Sequence, residues 1–191
     1  MVTVVVPFRS GGKSRLPVEL RKALALAMLG DVLGAATAAF SDVRIVTDDG
    51  EAMLAAADLG AEVVVDPGGG QGAAVIAALA GLEGQCLIVN ADLPCVSPAA
   101  LTDLGALDAA HVPARDGTTN ALSIPSPERF EPLYGPGSSA RFAAAGLAAT
   151  RIPELVRDVD TLADLQHLSL PVGRRTSIFI DRHELGRASL R

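Results

Sequence analysis

Three stretches of this chain carry residue types that bind ions. Arg9-Ser-Gly-Gly-Lys-Ser-Arg15 combines two glycines with cationic side chains. Glycines let backbone N–H groups approach an anion closely, and Lys13 and Arg15 add charge. It is not a Walker A loop, which needs G-x-x-x-x-G-K-S/T. A plain glycine turn with surface cations would read the same. Asn90-Ala-Asp92-Leu-Pro94 offers a carboxylate that can bind Mg²⁺, with phosphate oxygens and waters completing the octahedron. An aspartate that only caps the next turn is the alternative. Asp158-Val-Asp160-Thr161 holds the third group. In an extended segment residues i and i+2 point to the same side. Two carboxylates so placed repel unless a cation sits between them. Thr161 is expected to cap the following helix, which leaves both aspartates unexplained by capping. With Asp92 they would make a three-carboxylate metal site.

Two further stretches are rich in hydroxyls and glycines: Gly117-Thr-Thr-Asn120-Ala-Leu122 and Tyr134-Gly-Pro-Gly-Ser-Ser139. The second opens a helix, so its N–H groups could hold a phosphate or carboxylate. A turn plus a serine N-cap explains either one alone. His111, His167 and His183 are scattered and fit no metal or catalytic spacing. No Gly-x-Ser-x-Gly elbow is present. Cys86 and Cys95 form no metal or redox spacing, and both are expected to be reduced.

The elements that must position these groups alternate. Val2–Val6 is a β-branched run suited to a buried strand. A helical pattern follows from Pro17 to Phe40, with Leu20, Leu24, Met28 and Val32 on one face. Strands are expected at Val43–Thr47, Glu62–Val65 and Cys86–Asn90, with helices at Asp49–Leu59 and Ala73–Leu82. That order implies a three-layer α/β/α fold with a mostly parallel central sheet and right-handed crossovers. Ligands in such sheets bind outside the carboxyl ends of the strands. Those ends are the Arg9–Arg15 loop, Thr47-Asp48-Asp49, Asp66 and Asp92.

The second half is less regular. A helix capped by Ser97 with proline at its first position is expected over Ser97–Leu104. Strands are expected at Ala109–Pro113, Ala121–Ile124 and Ile152–Val156, and helices at about Ala140–Leu147 and Leu162–Leu168. Residues 1–170 read as one domain. Residues 171–191 show no clear periodicity and read as an extension of unknown role.

Composition bounds the partners. The chain has 191 residues, 49% of them hydrophobic, and a formal net charge of -6. An acidic protein with six aromatic rings is not built to hold a nucleic-acid polymer. Yet residues 1–22 carry a net charge of +4, and both lysines lie there. One end of the domain could therefore hold a small anion. No apolar run was expected to reach the ~18 residues that span a bilayer. No signal-like start precedes the first strand, so a cytoplasmic location is expected.

Seven motifs in order resemble one family, the small guanylyltransferases of coenzyme F-420 biosynthesis. They are Lys13-Ser-Arg-Leu16, Ala27-Met-Leu-Gly-Asp-Val-Leu33, Asp66-Pro-Gly-Gly-Gly70, Asn90–Pro94, Gly117–Leu122, Gly135-Pro-Gly-Ser138 and Asp158–Thr161. The resemblance implies a Rossmann-like fold of the nucleotide-diphospho-sugar transferase type, related to molybdenum-cofactor guanylyltransferases. It implies joining of GTP to phosphoenolpyruvate, 2-phospho-L-lactate or a similar phosphorylated three-carbon acid. Lys13 and Arg15, with Gly11, Gly12 and Arg9, would then hold the triphosphate. Gly69 and Gly70 would face the nucleobase. Asp92, Asp158 and Asp160 would hold Mg²⁺, and Lys13, Arg15 and Asp92 would be catalytic. Thr119, Gly135 and Ser138 would grip the acceptor. A homodimer is compatible with the resemblance. Two departures stand out. Arg9 occupies the place of a usual lysine, and the glycine turn continues Gln71-Gly72 where the family usually has Leu-Asn. A glycosyltransferase of similar fold, or a nucleotide-binding module without catalysis, remains an alternative.

Overall fold

Val4, Val5 and Val6 are all fully buried, yet they belong to two separate cores. Val4 and Val6 face one side and Val5 the other, as the two-residue period of a strand requires. Leu87 and Val89 split from Cys86 and Ile88 in the same way. A strand covered on both faces is the central strand of a parallel sheet.

The structure, a computed structural model, describes residues 1–9 and 17–185. Among these residues seven strands form one sheet in the order β3-β2-β1-β4-β6-β5-β7. The strands are β1 (Val2–Pro7), β2 (Asp42–Thr47), β3 (Glu62–Val65), β4 (Gln85–Val89), β5 (Ala110–Pro113), β6 (Thr119–Ile124) and β7 (Ala148–Ala149). β6 runs antiparallel between β4 and β5, and the other pairings are parallel. Helices α1 (Val18–Ala39), α2 (Gly50–Asp58) and α4 (Pro98–Gly105) cover one face. α3 (Gln71–Leu79) and α5 (Ser138–Ala144) cover the other. The expected three-layer α/β/α architecture is therefore the observed one. Ser97 caps α4 as expected, its hydroxyl accepting from Ala100 N at 3.1 Å.

Three places differ from expectation. Ile152–Val156 is not a strand; it holds a 3-10 turn at Pro153–Leu155. Pro153 has no N–H to give a ladder, and Leu155 is drawn fully into the core on the α1 side. The short strand β7 pairs with β5 instead.

The chain end also folds beyond what its pattern shows. After α6 (Leu162–Gln166), helix α7 (Arg174–Arg182) packs on α1. Asp31 of α1 caps it from across the fold, accepting from Arg175 N and Thr176 N at 2.9 Å each. Phe179 joins Leu24, Met28, Val159, Leu165 and Leu168 in one apolar cluster.

Finally, α1 is long and apolar enough to cross a membrane by length and composition, with mean hydropathy 1.4 over its best window. This corrects the expectation that no such run exists. Half of that window is buried inside the fold, because the sheet, α4 and α7 pack around the helix. An all-round apolar helix of that kind belongs in a core.

Candidate active site

The carboxyl ends of β2, β3 and β4 each carry an aspartate, and the three do different work. Asp49 caps α2, accepting from Glu51 N and Ala52 N at 3.0 and 3.1 Å. Asp66 holds a turn. It accepts from Arg9 Nε at 2.6 Å, from Arg9 Nη2 at 2.9 Å and from Gly68 N at 2.8 Å. The turn it fixes runs through Gly68, Gly69 and Gly70 with φ of +83°, +84° and +98°, a path that side chains with a Cβ rarely follow. The Arg9 guanidinium holds the Asp66 carboxyl below the usual carboxylate range, through a two-pronged charge-assisted pair.

Asp92, after β4, meets Asp158 and Asp160. One carboxylate oxygen from each lies within 4.8 Å of the others. Val159 N donates to Asp92 O at 3.1 Å, and the Val159 side chain is fully buried. The flanking aspartates therefore share the opposite side. Asn120 of β6 reaches under them, donating to Leu155 O at 3.0 Å and to Asp158 Oδ1 at 3.4 Å. Beyond them Thr161 caps α6, accepting from Asp164 N at 3.1 Å, while Asp164 Oδ2 accepts from Thr161 N at 2.8 Å. Three carboxylate oxygens gathered this closely are hard donors of the kind that suit a divalent cation such as Mg²⁺. These three residues fit that role.

Asp92 and Asp160 line a cavity of about 230 Å³ with Arg9, Asp66, Gln71, Asn90, Met28 and Phe8. It lies at the carboxyl ends of β1, β3 and β4, where the topology predicts a ligand. Gly69 and Gly70 lie on the turn into α3, between Asp66 and Gln71, which both line the cavity. Arg9 stands in the cavity wall, bound to Asp66. Gly11, Gly12, Lys13 and Arg15 lie outside the described residues.

Thr119 and Ser138 are brought together, the Ser138 hydroxyl donating to Thr119 Oγ1 at 3.1 Å. Both are buried. Gly135 has φ +106°, and its carbonyl accepts from Ser138 N at 3.0 Å. This cluster joins the cavity through Asn90, whose amide donates to Thr119 O at 3.2 Å and accepts from Gln71 Nε2 at 2.8 Å. Gln71, Asn90, Asn120 and Asp66 belong to the site by contact, although the sequence did not mark them as site residues. The prior signals were the motifs that contain Asn90, Asn120 and Asp66, the position of Asp66 at a strand end, and the departure at Gln71. His111 is structural: it is buried between Leu147 O at 3.1 Å and Ser139 Oγ at 3.0 Å. Burial lowers its pKa, against the opposing pull of the Leu147 carbonyl.

Residues 2–143 match the family model described as "Guanylyl transferase CofC like". A phosphoenolpyruvate guanylyltransferase of Streptomyces scabiei is 38% identical, with 92% of this chain and 94% of the relative covered. One from Thermomonospora curvata is 37% identical, covering 85% and 79%. Among solved structures, one from Desulfovibrio desulfuricans G20, provisionally described as a nucleotide-diphospho-sugar transferase, aligns with TM-score 0.69 and 20% identity. It covers 96% of each chain. A nucleotidyl transferase from Methanothermobacter aligns with TM-score 0.64 and 17% identity over 95% and 99% of the two chains. A Mycobacterium tuberculosis protein solved with manganese aligns with TM-score 0.57 and 24% identity over 86% and 95%. The fold is thus of the nucleotide-diphospho-sugar transferase type.

Proposed function

The chain belongs to the family of CofC-like guanylyl transferases, and from that premise we propose that it joins GTP to phosphoenolpyruvate and releases pyrophosphate. The observation that carries this reading is the carboxylate triad at the cavity, with Asp92 and Asp160 in its wall. In the step, an oxygen of the acceptor's phosphate forms a bond to the α-phosphorus of GTP. The bond from that phosphorus to the bridging oxygen breaks, and its electron pair leaves with pyrophosphate. The acceptor phosphate is already ionised near neutral pH, so no side chain has to remove a proton. Catalysis then rests on alignment and charge neutralisation.

Each group of residues has a part. Asp92, Asp158 and Asp160 are the residues that would hold a divalent cation, whose chemistry there would be to offset charge on the phosphates. Lys13 and Arg15, with the backbone of Gly11 and Gly12, hold the triphosphate, and Arg9 adds positive charge at its edge. Gly69 and Gly70 let the base approach the backbone closely. Thr119, Gly135 and Ser138 form the acceptor wall. The two hydroxyls are bonded to each other. On this reading the chain acts in coenzyme F-420 biosynthesis; a cytoplasmic location and a homodimer are parts of the reading to test.

The experiment uses the purified full chain, Mg²⁺, each nucleoside triphosphate and each of phosphoenolpyruvate, 2-phospho-L-lactate and 3-phosphoglycerate. Pyrophosphate release is the readout. Release with GTP and phosphoenolpyruvate supports the proposal. Binding of GTP without release under every acceptor, or transfer from a nucleotide-sugar, would overturn it.

A further inference from the structure

Gln71 opens α3 and lines the cavity, and the direction of its amide is fixed by a chain of bonds with an unambiguous start. The Thr119 backbone carbonyl can only accept. The Asn90 amide must therefore turn its NH₂ toward it, at 3.2 Å. That leaves Asn90 Oδ1, again an acceptor, facing Gln71 at 2.8 Å. Gln71 must then turn its own NH₂ to Asn90, since the reverse would set two carbonyl oxygens in contact. Its Oε1 is the acceptor that remains, beside the second Nε2–H, on a half-buried side chain in the cavity wall. It is held as an acceptor and cannot swap ends without breaking the chain.

The next position cannot share this role. Residue 72 is glycine, and a Cβ there would lie 2.6 Å from Pro132 Cβ. The polar side chain at the start of α3 is therefore that of Gln71, directly after the turn proposed to face the base.

We propose that Gln71 Oε1 is a specificity-determining acceptor that reads the N1–H and N2–H₂ donors of guanine; this rests on the guanylyl-transfer reading. The chemistry discriminates by class of base. Guanine presents two adjacent donors to a carbonyl oxygen. Adenine and cytosine present a bare ring nitrogen at the matching place, which would set lone pair against lone pair. Hypoxanthine keeps the ring N–H and lacks the amine, so it isolates the second donor. A site built around a fixed acceptor rejects an analogue that lacks the donor, because the acceptor is then desolvated without a partner.

The test compares kcat/KM for GTP, ITP and 2′-deoxy-GTP in the wild type, Gln71→Met and Gln71→Leu, with thermal melting to show that each variant folds. Binding of GDP and IDP is measured beside it by calorimetry. The wild type is expected to prefer the guanine nucleotide over the hypoxanthine one by about tenfold or more. Both variants are expected to bring that ratio toward one by losing GTP activity more than ITP activity. A purely structural role for Gln71 would lower both alike and leave the ratio in place, which overturns the proposal. So would a wild type with no preference. Collapse of the preference over 2′-deoxy-GTP instead would assign the acceptor to a ribose hydroxyl and overturn the base reading. If GTP is not turned over at all, guanylyl transfer fails, while the GDP-to-IDP binding ratio still decides the role of Gln71.

Discussion

The backbone N–H of Val159 donates to the backbone carbonyl of Asp92 at 3.1 Å, and the triad takes its geometry from that contact. The bond joins the loop after β4 to a segment far along the chain. Val159 is fully buried, which fixes the rotation of that segment about its own axis. Asp158 and Asp160 must then turn together toward Asp92. The repulsion of three carboxylates is opposed by main-chain bonding and apolar burial, both of which are present before any cation binds.

Asp92→Asn keeps the shape of this residue and removes its charge. Pyrophosphate release from GTP and phosphoenolpyruvate should fall by on the order of a hundredfold or more, since a direct ligand should matter at least as much as an outer-shell partner. The circular-dichroism spectrum and melting profile should stay close to wild type. Near-normal turnover would remove Asp92 from the metal site.

Asn120 acts one step further out. It is buried, and its amide spans Leu155 O and Asp158 Oδ1. Asn120→Ala should raise the Mg²⁺ concentration needed for half-maximal activity by about 10–100-fold, the usual effect of losing a group that orients a ligand. A titration of activity against Mg²⁺ reads this directly. A lower maximum with an unchanged midpoint would mean that Asn120 supports the fold and not the cation.

What the sequence revealed was local. Val4 to Val6, the Ser97 cap and the i, i+2 pair of Asp158 and Asp160 each follow from near neighbours. The meeting of that pair with Asp92 was inferred from chemistry, because two carboxylates on one side of the chain repel unless a cation sits between them. What stayed hidden was set at a distance. Ile152–Val156 has strand composition, but Pro153 and the pull of Leu155 into the core override it. Asp66 reads from the sequence as a strand-end carboxylate, and nothing local shows that Arg9, 57 residues away, holds it. Helix α7 has no cap in its own sequence; its acceptor is Asp31, 144 residues before Arg175.

That remote cap makes a clear stability prediction. Asp31→Ala leaves two N–H groups at the start of α7 without their acceptor. The expected cost is about 1 kcal/mol, within the range for N-cap removal, which lowers Tm by roughly 2–4 °C in a chain of this size. Hydrogen exchange should speed up over residues 174–178 first. Because Phe179 shares a cluster with Met28 and Val159, loosening there also reaches the cavity wall. An unchanged Tm and exchange pattern would show that α7 docks through its apolar face alone.

The Arg9–Asp66 pair predicts a pH dependence with a definite sign. Arg9 donates two bonds to Asp66 and holds its carboxyl below the ordinary range. A depressed folded-state pKa stabilises the fold fully above the unfolded-state value. That stabilisation is lost as pH falls through the folded-state value. Arg9 itself is pushed upward and stays charged throughout this window. Wild-type Tm should therefore drop on acidification from about pH 5 to pH 3, and Arg9→Met should flatten that drop, most at its acid end. Melting curves of both proteins across the range provide the check. The variant should also lose order in the Gly68–Gly70 turn, because Asp66 Oδ1 serves Arg9 and Gly68 N at once. Superimposable Tm-versus-pH curves would mean that the pair adds nothing to folding and that Asp66 holds the turn unaided.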